Sequence, residues 1–216
     1  MILIDLIQEL LFPRKCVLCQ KLLSREETDL CHSCRQDTSQ RPKATKKLPH
    51  IAQWYAMWYY EGSVRESLHR YKFHNRPSYS ESYGRLLAMQ LSQQFPEGYD
   101  VITWVPISAK RRRKRGYDQV ELLAESVSKE LGIPAIAMLK KVVDNPPQSG
   151  ISGYAQRKAN VLGVYECIIS PDEKRILLLD DILTTGATAS ECARMLLTAG
   201  AKQVYCAAIA AASQQS

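Results

Sequence analysis

Residues 176–188, which read ILLLDDILTTGAT, constrain the fold more than any other stretch of the chain. Four apolar residues in succession predict a parallel strand buried on both faces, and Asp180 and Asp181 follow where that strand should end. Beyond residue 188 apolar residues recur at helical spacing, and Gly200 is placed to cap a helix at its C-terminus. We therefore expect an α/β fold, with a parallel sheet flanked by helices and a ligand at this sheet edge.

The loop between this strand and this helix has the composition of an anion cradle. Residues 184–188 carry three hydroxyl groups, and Gly186 is free to take a positive φ, so successive backbone N–H groups can turn toward an anion. The N-terminus of the helix adds partial positive charge. With Asp180 and Asp181 accepting hydrogen bonds from vicinal hydroxyls, the stretch predicts a site for a phosphorylated sugar. A Walker-type loop fits less well, because it requires a lysine that this loop lacks.

The same stretch resembles, position for position, the phosphoribosyl-pyrophosphate (PRPP) binding motif of type I phosphoribosyltransferases. The resemblance implies that Asp180 and Asp181 contact the ribose hydroxyls. It implies that the 5′-phosphate is held by Thr184, Thr185, Gly186, Ala187 and Thr188. It also implies Mg²⁺, which should bind mainly through pyrophosphate, ribose hydroxyls and water, since it rarely occupies an all-protein cage. The alternative, a buried strand followed by a chance Asp-Asp turn, does not account for the match over the whole stretch.

Much of the positive charge lies in one segment. The formal net charge is +7 over 216 residues, and residues 110–115 alone hold six cations. A net charge fits nucleic acid, phosphates or an anionic membrane surface equally well. The segment follows a second predicted buried strand, residues 100–106, which brings it to the same sheet edge as the acids. We predict a basic loop there.

The cations of this segment are expected to divide into two sets. The inner set, with Lys72, offsets the charge of pyrophosphate and consists of Arg111 and Arg115. The outer set faces solvent or an external polyanion and consists of Arg112, Arg113 and Lys114. A basic loop that is merely solvated remains the alternative.

Four cysteines form two Cys-x-x-Cys pairs separated by eleven residues, namely Cys16, Cys19, Cys31 and Cys34. Each pair can hold one edge of a tetrahedral Zn²⁺ ion, and four thiolates leave no position for a catalytic water, so the predicted zinc is structural. Redox chemistry of a single Cys-x-x-Cys does not explain two pairs. His32 could replace a cysteine as ligand, although an exposed histidine beside the site is the simpler interpretation.

These features predict two regions. Residues 1–50 should contain an N-terminal helix over residues 1–11, the zinc module and a polar linker beginning at residue 35, and residues 51–216 should form the phosphoribosyltransferase-like domain. The first eleven residues lack a basic leader and are shorter than the roughly 20 apolar residues that cross a bilayer. We therefore expect a cytoplasmic protein without a transmembrane segment.

Two further segments are assigned from composition and periodicity. Residues 145–153 are turn-rich, and they are expected either to close as a lid over the reactive sugar or to form a plain surface loop. Strands are predicted over residues 161–168 and over the apolar residues 203–211, the last of which should close the sheet.

Taken together, the chain resembles the ComF family of competence proteins, which join a cysteine-rich zinc element to a phosphoribosyltransferase domain. The resemblance rests on Leu11-Phe12-Pro13 before Cys16, Val105-Pro106, Arg111, Arg115-Gly116-Tyr117-Asp118-Gln119, Pro147-Gln148 with Arg157 and Asn160, and Asp180-Asp181 with their loop. The chain departs from the family where Tyr117-Asp118 replaces Phe-Asn and where Lys141 replaces an arginine. Asp118 would put a negative charge beside the proposed anion site.

The resemblance implies a role in natural transformation, in which the protein handles single-stranded DNA (ssDNA) with a helicase-like partner and reaches a membrane only through partners. The residues themselves indicate PRPP and Mg²⁺ binding, with transfer chemistry in which a nucleophile displaces pyrophosphate from the ribose C1. Three functions stay open: a PRPP-binding competence factor that carries ssDNA, a transferase acting on an unknown small-molecule acceptor, and a non-catalytic PRPP-sensing regulator. The intact acids and loop argue against a protein that has kept only the fold.

Overall fold

The structure is a computed structural model, and it describes residues 13–42, 44, 46–144 and 161–213. Several expectations fall outside these ranges. They concern the helix over residues 1–11, the lid over residues 145–153, and the motif residues Leu11, Phe12, Pro147, Gln148, Arg157 and Asn160.

The described part of the chain contains six helices and six strands. In chain order they are α1 (His32–Asp37), β1 (Gln53–Tyr59), α2 (Gly62–Phe73), α3 (Tyr79–Gln94), β2 (Val101–Trp104), α4 (Ala109–Arg115), α5 (Gln119–Leu131), β3 (Leu139–Lys141), β4 (Tyr165–Cys167), β5 (Arg175–Leu183), α6 (Ala187–Thr198) and β6 (Gln203–Ala211). No helix in the described ranges is long and apolar enough to span a membrane.

Four parallel strands form the central sheet in the order β1-β6-β5-β2. The predicted parallel sheet flanked by helices is thus confirmed, and the apolar start of β5 is buried on both faces. The prediction that residues 203–211 close the sheet is wrong, because β6 lies between β1 and β5. A strand buried along almost its whole length needs a neighbour on each side. Strands β3 and β4 pair separately as an antiparallel ribbon.

The helix expected after the loop of residues 184–188 is confirmed as α6. Gly200, with φ of 103°, follows it as predicted. Its N–H donates to the Leu197 carbonyl at 3.1 Å, and the Ala201 N–H donates to the Leu196 carbonyl at 3.0 Å. This pair of bonds is a Schellman motif, which satisfies the last carbonyls of the helix.

The basic segment is not the loop that was predicted but the helix α4. Ser108 begins it, since the Ser108 hydroxyl accepts a hydrogen bond from the Arg111 N–H at 3.3 Å, and Gly116 ends it with φ of 87°. A serine N-cap and a left-handed glycine are ordinary helix boundaries. These two boundaries allow residues 109–115 to form a helix despite their run of like charges.

The sheet separates two apolar cores. Leu177 and Leu179 of β5 pack on the face covered by α2, α3 and α5, whereas Ile176 and Leu178 pack on the face covered by α6 and the β3–β4 ribbon. Odd and even residues of a strand point to opposite faces. The same alternation therefore governs the acidic residues that follow in β5.

The segment expected to be a linker packs on the sheet where the structure describes it. Arg41 Nη1 donates to the Tyr55 hydroxyl at 3.0 Å, and Trp54 Nε1 donates to the Lys46 carbonyl at 2.7 Å. Leu48 is buried. The zinc-module residues Cys16, Val17 and Leu18 belong to the same core as α2 and α3. The domain boundary at residue 51 stays a prediction.

Gly84 of α3 lies against α5 so closely that a Cβ there would be 2.5 Å from the Ser126 Cβ. We predict that Gly84→Ala lowers the free energy of unfolding by about 1–2 kcal/mol. Overpacking costs about 1–3 kcal/mol, which exceeds the roughly 1 kcal/mol that alanine gains over glycine in a helix. Urea unfolding followed by circular dichroism measures the change.

The control is the same substitution in a Ser126→Gly background, where the loss should be smaller than in the wild type because the nearest side-chain atoms are gone. An equal loss in both backgrounds, or no loss in either, would contradict the close contact between α3 and α5.

Candidate functional site

The two acids lie where β5 continues beyond the end of β2. Strand β2 ends at Trp104, which is paired with Leu179, while β5 stays paired with β6 as far as Leu183. On the side that β2 no longer covers, the Asp181 N–H donates to the Asp180 carboxylate at 2.8 Å. Both acids thus lie at the point where β5 no longer has β2 as a neighbour.

Asp181 faces α2 and α5 and is buried, with 6% of its surface exposed. One carboxylate oxygen accepts a hydrogen bond from Lys72 Nζ at 2.9 Å, and the other accepts one from Gln119 Nε2 at 2.6 Å. Gln119 in turn accepts a hydrogen bond from Arg115. The carboxylate of Asp181 is therefore bonded within the protein on both oxygens.

Arg115 is half-buried, and its guanidinium carbon lies 5.3 Å from the centre of the Phe73 ring, a cation–π geometry. Burial lowers the pKa of Arg115, and the negative charge of Asp181 opposes this effect. Two tyrosines fix the helices around it. The Tyr71 hydroxyl donates to the Gln119 carbonyl at 2.5 Å, and the Tyr117 hydroxyl donates to the Tyr71 carbonyl.

Asp180 has different surroundings, because the alternation of β5 turns it toward the face covered by α6. It is half-buried, and on that face burial, with a smaller contribution from the charge of Asp180, raises the pKa of Tyr165 and of Cys192. Burial, followed by the charge of Asp181, raises the pKa of Asp180 to about 8, while Lys72 acts in the opposite direction. Burial thus favours the neutral form of Asp180 more than in an exposed aspartate, and a positive charge or a hydrogen-bond donor would favour its carboxylate form.

The predicted phosphate loop follows on the same face and leads directly into α6. Gly186 occupies the N-cap of α6 with φ of 76°, and a Cβ there would lie 2.9 Å from Cδ1 of Leu48. Glycine is therefore favoured by the left-handed turn, and any side chain there would also force the Leu48 side chain to move. Thr184 is exposed, and the Thr185 hydroxyl accepts a hydrogen bond from the Ala187 N–H at 3.4 Å.

The helical form of α4 divides its cations. Arg111 and Arg115 are one turn apart and both half-buried, while Arg112, Arg113 and Lys114 are exposed. Of the exposed set, Arg112 pairs with Glu121 at 2.9 Å. The division matches the inner and outer sets expected from the sequence, although the contacts of the inner set with pyrophosphate stay a prediction.

Three polar residues near the acids were not assigned a role from the sequence. Gln119 links Asp181 to Arg115, a connection that no local pattern reveals. Asp118 is the N-cap of α5, and its carboxylate accepts hydrogen bonds from the N–H groups of Val120 at 2.9 Å and Ile107 at 3.0 Å. The carboxylate of Asp118 is thus hydrogen-bonded to backbone N–H groups. An Asp directly before an apolar helical repeat is a common N-cap, and this pattern could have predicted the role.

Lys141 is the third of these residues. It is half-buried at the end of β3, with Nζ 5.5 Å from the centre of the Tyr165 ring. Burial, and then the like charge of Arg111, lower the pKa of Lys141 to about 8. The sequence marked this position only as a departure from the arginine of the family.

The four cysteine Sγ atoms lie within 4.8 Å of one another, and those of Cys19 and Cys31 are 3.6 Å apart. Zinc–sulfur bonds of about 2.3 Å in a tetrahedron separate the sulfurs by about 3.8 Å, so the donor set fits structural zinc. His32 is exposed and outside this cluster, and its backbone N–H donates to the Glu27 carboxylate at 2.6 Å.

Comparison with known proteins gives two family matches. The model described as "Phosphoribosyl transferase domain" matches residues 81–216, and the model described as "Double zinc ribbon domain" matches residues 7–45. The zinc-ribbon match agrees with the four-cysteine cluster.

Three curated relatives illustrate the similarity. Competence protein F of Haemophilus influenzae is 24% identical over 221 residues, which cover 89% of this chain and 95% of the relative. Competence protein ComFC of Bacillus subtilis is 29% identical over 150 residues, which cover 67% of this chain and 58% of the relative. DNA utilization protein YhgH of Salmonella typhimurium is 27% identical over 222 residues, which cover 90% of this chain and 96% of the relative.

The cysteine cluster predicts that protein purified without chelator contains one zinc per chain, measured by atomic emission. Cys34→Ser should abolish stoichiometric zinc and lower the free energy of unfolding, because metal binding is coupled to folding. The matched control is Cys167→Ser, a half-buried cysteine outside the cluster, which should keep its zinc. Well under one zinc per chain in the wild type would contradict the four-thiolate site.

Proposed function

Because this chain belongs to the phosphoribosyl transferase family, in the ComF form with an N-terminal zinc ribbon, we propose that it binds PRPP with Mg²⁺ beside the 184–188 loop. One observation carries the proposal. Asp180, a half-buried carboxylate bonded only to the neighbouring backbone N–H in the described hydrogen bonds, lies on the same sheet face as that loop and the start of α6. A hydrogen-bond acceptor for ribose hydroxyls and an anion cradle thus occupy one side of the sheet.

In this proposal the two acids have separate roles. Asp180 accepts hydrogen bonds from the ribose hydroxyls, and the loop binds the 5′-phosphate through its backbone N–H groups and its threonine hydroxyls. Asp181 acts indirectly, because it holds Lys72 and, through Gln119, Arg115. Both cations then stand on the pyrophosphate side of the site. Mg²⁺ would be held mainly by the oxygens of the ligand and by water, and it would neutralise charge on the pyrophosphate.

The reaction class supported by this arrangement is transfer of the ribosyl phosphate group to a nucleophile. The bond from ribose C1 to pyrophosphate breaks, the electron pair leaves with the pyrophosphate, and the nucleophile supplies the electron pair of the new bond to C1. Lys72, Arg111 and Arg115 supply fixed positive charge where that negative charge develops.

We extend the proposal to a role in DNA uptake, in which ssDNA binds the outer face of α4. Curated relatives named for competence and DNA utilization support this role. Phe73, which is 64% exposed, lies beside α4, with the guanidinium carbon of Arg115 5.3 Å from its ring centre. Cations that bind phosphates beside an aromatic ring that stacks on bases are typical of ssDNA surfaces.

For the sugar-phosphate site we predict that Asp180→Asn weakens Mg²⁺–PRPP binding at least tenfold in calorimetric titration. Wild-type affinity should rise as the pH increases from 6.5 to about 8 and then level off. Below the raised pKa of Asp180, binding must first displace the proton of that carboxyl, so affinity is lost as the pH falls.

The matched control is Asp172→Asn, an exposed acid in a turn with φ of 48° that asparagine tolerates. Asp172→Asn should keep both the affinity and its pH dependence, whereas Asp180→Asn should lose the contribution of Asp180 to that dependence. Equal PRPP affinity for Asp180→Asn and the wild type would contradict the proposed function.

For the DNA surface we predict that ssDNA affinity falls steeply between 50 and 200 mM salt. Neutralising α4 with Arg112→Gln, Arg113→Gln and Lys114→Gln should reduce the slope of log affinity against log salt by about 2, given roughly 0.7 per phosphate contact. Fluorescence anisotropy with an oligo-dT probe, repeated at several salt concentrations, measures the affinity and its slope.

A control with the same change in net charge carries Lys21→Gln, Lys129→Gln and Lys202→Gln, all exposed and outside α4. An affinity insensitive to salt, or an equal loss in both triple variants, would contradict binding by α4.

A further inference from the structure

The zinc module is attached to α2 by two hydrogen bonds. The hydroxyl of Ser67 donates to the Val17 carbonyl, and Nη2 of Arg70 donates to the Leu18 carbonyl. Both carbonyls lie in the loop between Cys16 and Cys19, so they belong to a segment that the metal would hold at each end. Ser67 and Arg70 are three residues apart and therefore share one face of α2.

The last turn of α2 reaches the acids. Tyr71 donates to the Gln119 carbonyl at 2.5 Å, and Lys72 Nζ contacts Asp181 at 2.9 Å. Between Ser67 and Lys72 the chain advances by less than two helical turns. A translation of α2 along its axis, or a rotation about it, would thus change its contacts with both the zinc loop and Asp181.

The interior between these contacts is closely packed. Leu18, Tyr71 and Tyr83 are fully buried in one core, the Tyr71 and Tyr83 rings are 5.5 Å apart, and the Tyr83 and Ser67 hydroxyl oxygens are 2.6 Å apart. Close-packed interiors transmit displacement rather than absorbing it. The position of the zinc loop is therefore coupled mechanically to the position of α2.

A separate contact fixes the zinc module to α3. Arg85 donates from Nε and Nη2 to the two carboxylate oxygens of Asp29, at 3.1 and 2.6 Å. Asp29 also accepts a bond from the Val17 N–H at its carbonyl, at 2.8 Å. This contact anchors the same module but does not lie on α2, so it provides a control for anchoring alone.

We propose that the four-cysteine element positions Lys72: by holding Ser67 and Arg70 it keeps α2 where Lys72 reaches Asp181, and so it sets the affinity of the site for an anionic sugar phosphate. Ser67 and Arg70 are positioning residues, since they act through Lys72 and touch no ligand. The proposal rests on the proposed function at Asp180 and the 184–188 loop. It gives the zinc module a role in ligand binding beyond its contribution to folding.

The test measures Mg²⁺–PRPP dissociation constants by calorimetry, with zinc content and thermal midpoint determined for every variant. Arg70→Met and Ser67→Ala remove the donors to the zinc loop, and Arg85→Met removes the anchor on α3. We expect Arg70→Met and Ser67→Ala to weaken PRPP binding three- to tenfold while each chain keeps one zinc. Arg85→Met should lower the thermal midpoint and leave the dissociation constant within twofold of the wild type.

A double-variant cycle tests the route. Arg70→Met should have little further effect in a Lys72→Met background, because the residue through which it acts is already gone. Equal dissociation constants for the wild type, Arg70→Met and Ser67→Ala would overturn the coupling, and so would an Arg85→Met loss as large as theirs. Wild-type PRPP binding that Asp180→Asn abolishes would leave the proposed function standing in either case, whereas no binding by the wild type would overturn both proposals.

Discussion

The contact between Lys72 and Asp181 joins residues 109 positions apart in the chain, and the arrangement of the site depends on it. A carboxylate as buried as Asp181 is costly unless it is paired and hydrogen-bonded on its remaining lone pairs. Lys72 and Gln119 meet that requirement from α2 and α5. The two helices are therefore held against the end of β5 by the need to satisfy one charge, and Arg115 is oriented through Gln119 as a consequence.

The alternation of β5 explains why two adjacent carboxylates do not behave alike. Leu177, Leu179 and Asp181 face one core, while Ile176, Leu178 and Asp180 face the other, so a single sequence motif supplies acids to both sides of the sheet. Asp181 is hydrogen-bonded to Lys72 and Gln119 within the protein, whereas Asp180 lies beside the loop that precedes α6. In this account the strand fixes the division of roles, and the zinc module supports one half of it through α2.

The sequence predicted those parts of the fold that depend on local patterns. The strand, loop and helix of residues 176–188 and beyond, and the four cysteines, are signalled by apolar runs, glycine positions and ligand spacing. The loop expected at residues 110–115 was wrong because Ser108 and Gly116 bound a short helix there, and its charge pattern carries no apolar helical repeat that would indicate it. The central position of β6 and the contacts of Asp181 arise from chain segments far apart, and no window of sequence contains that information.

The most direct measurement of the central claim is a crystal structure of the protein with Mg²⁺ and PRPP bound. We predict ribose hydroxyls on Asp180, the 5′-phosphate in the 184–188 loop, and Asp181 still bonded to Lys72 and Gln119. A sugar held by Asp181, with Lys72 turned away from it, would contradict the separation of roles between the two acids.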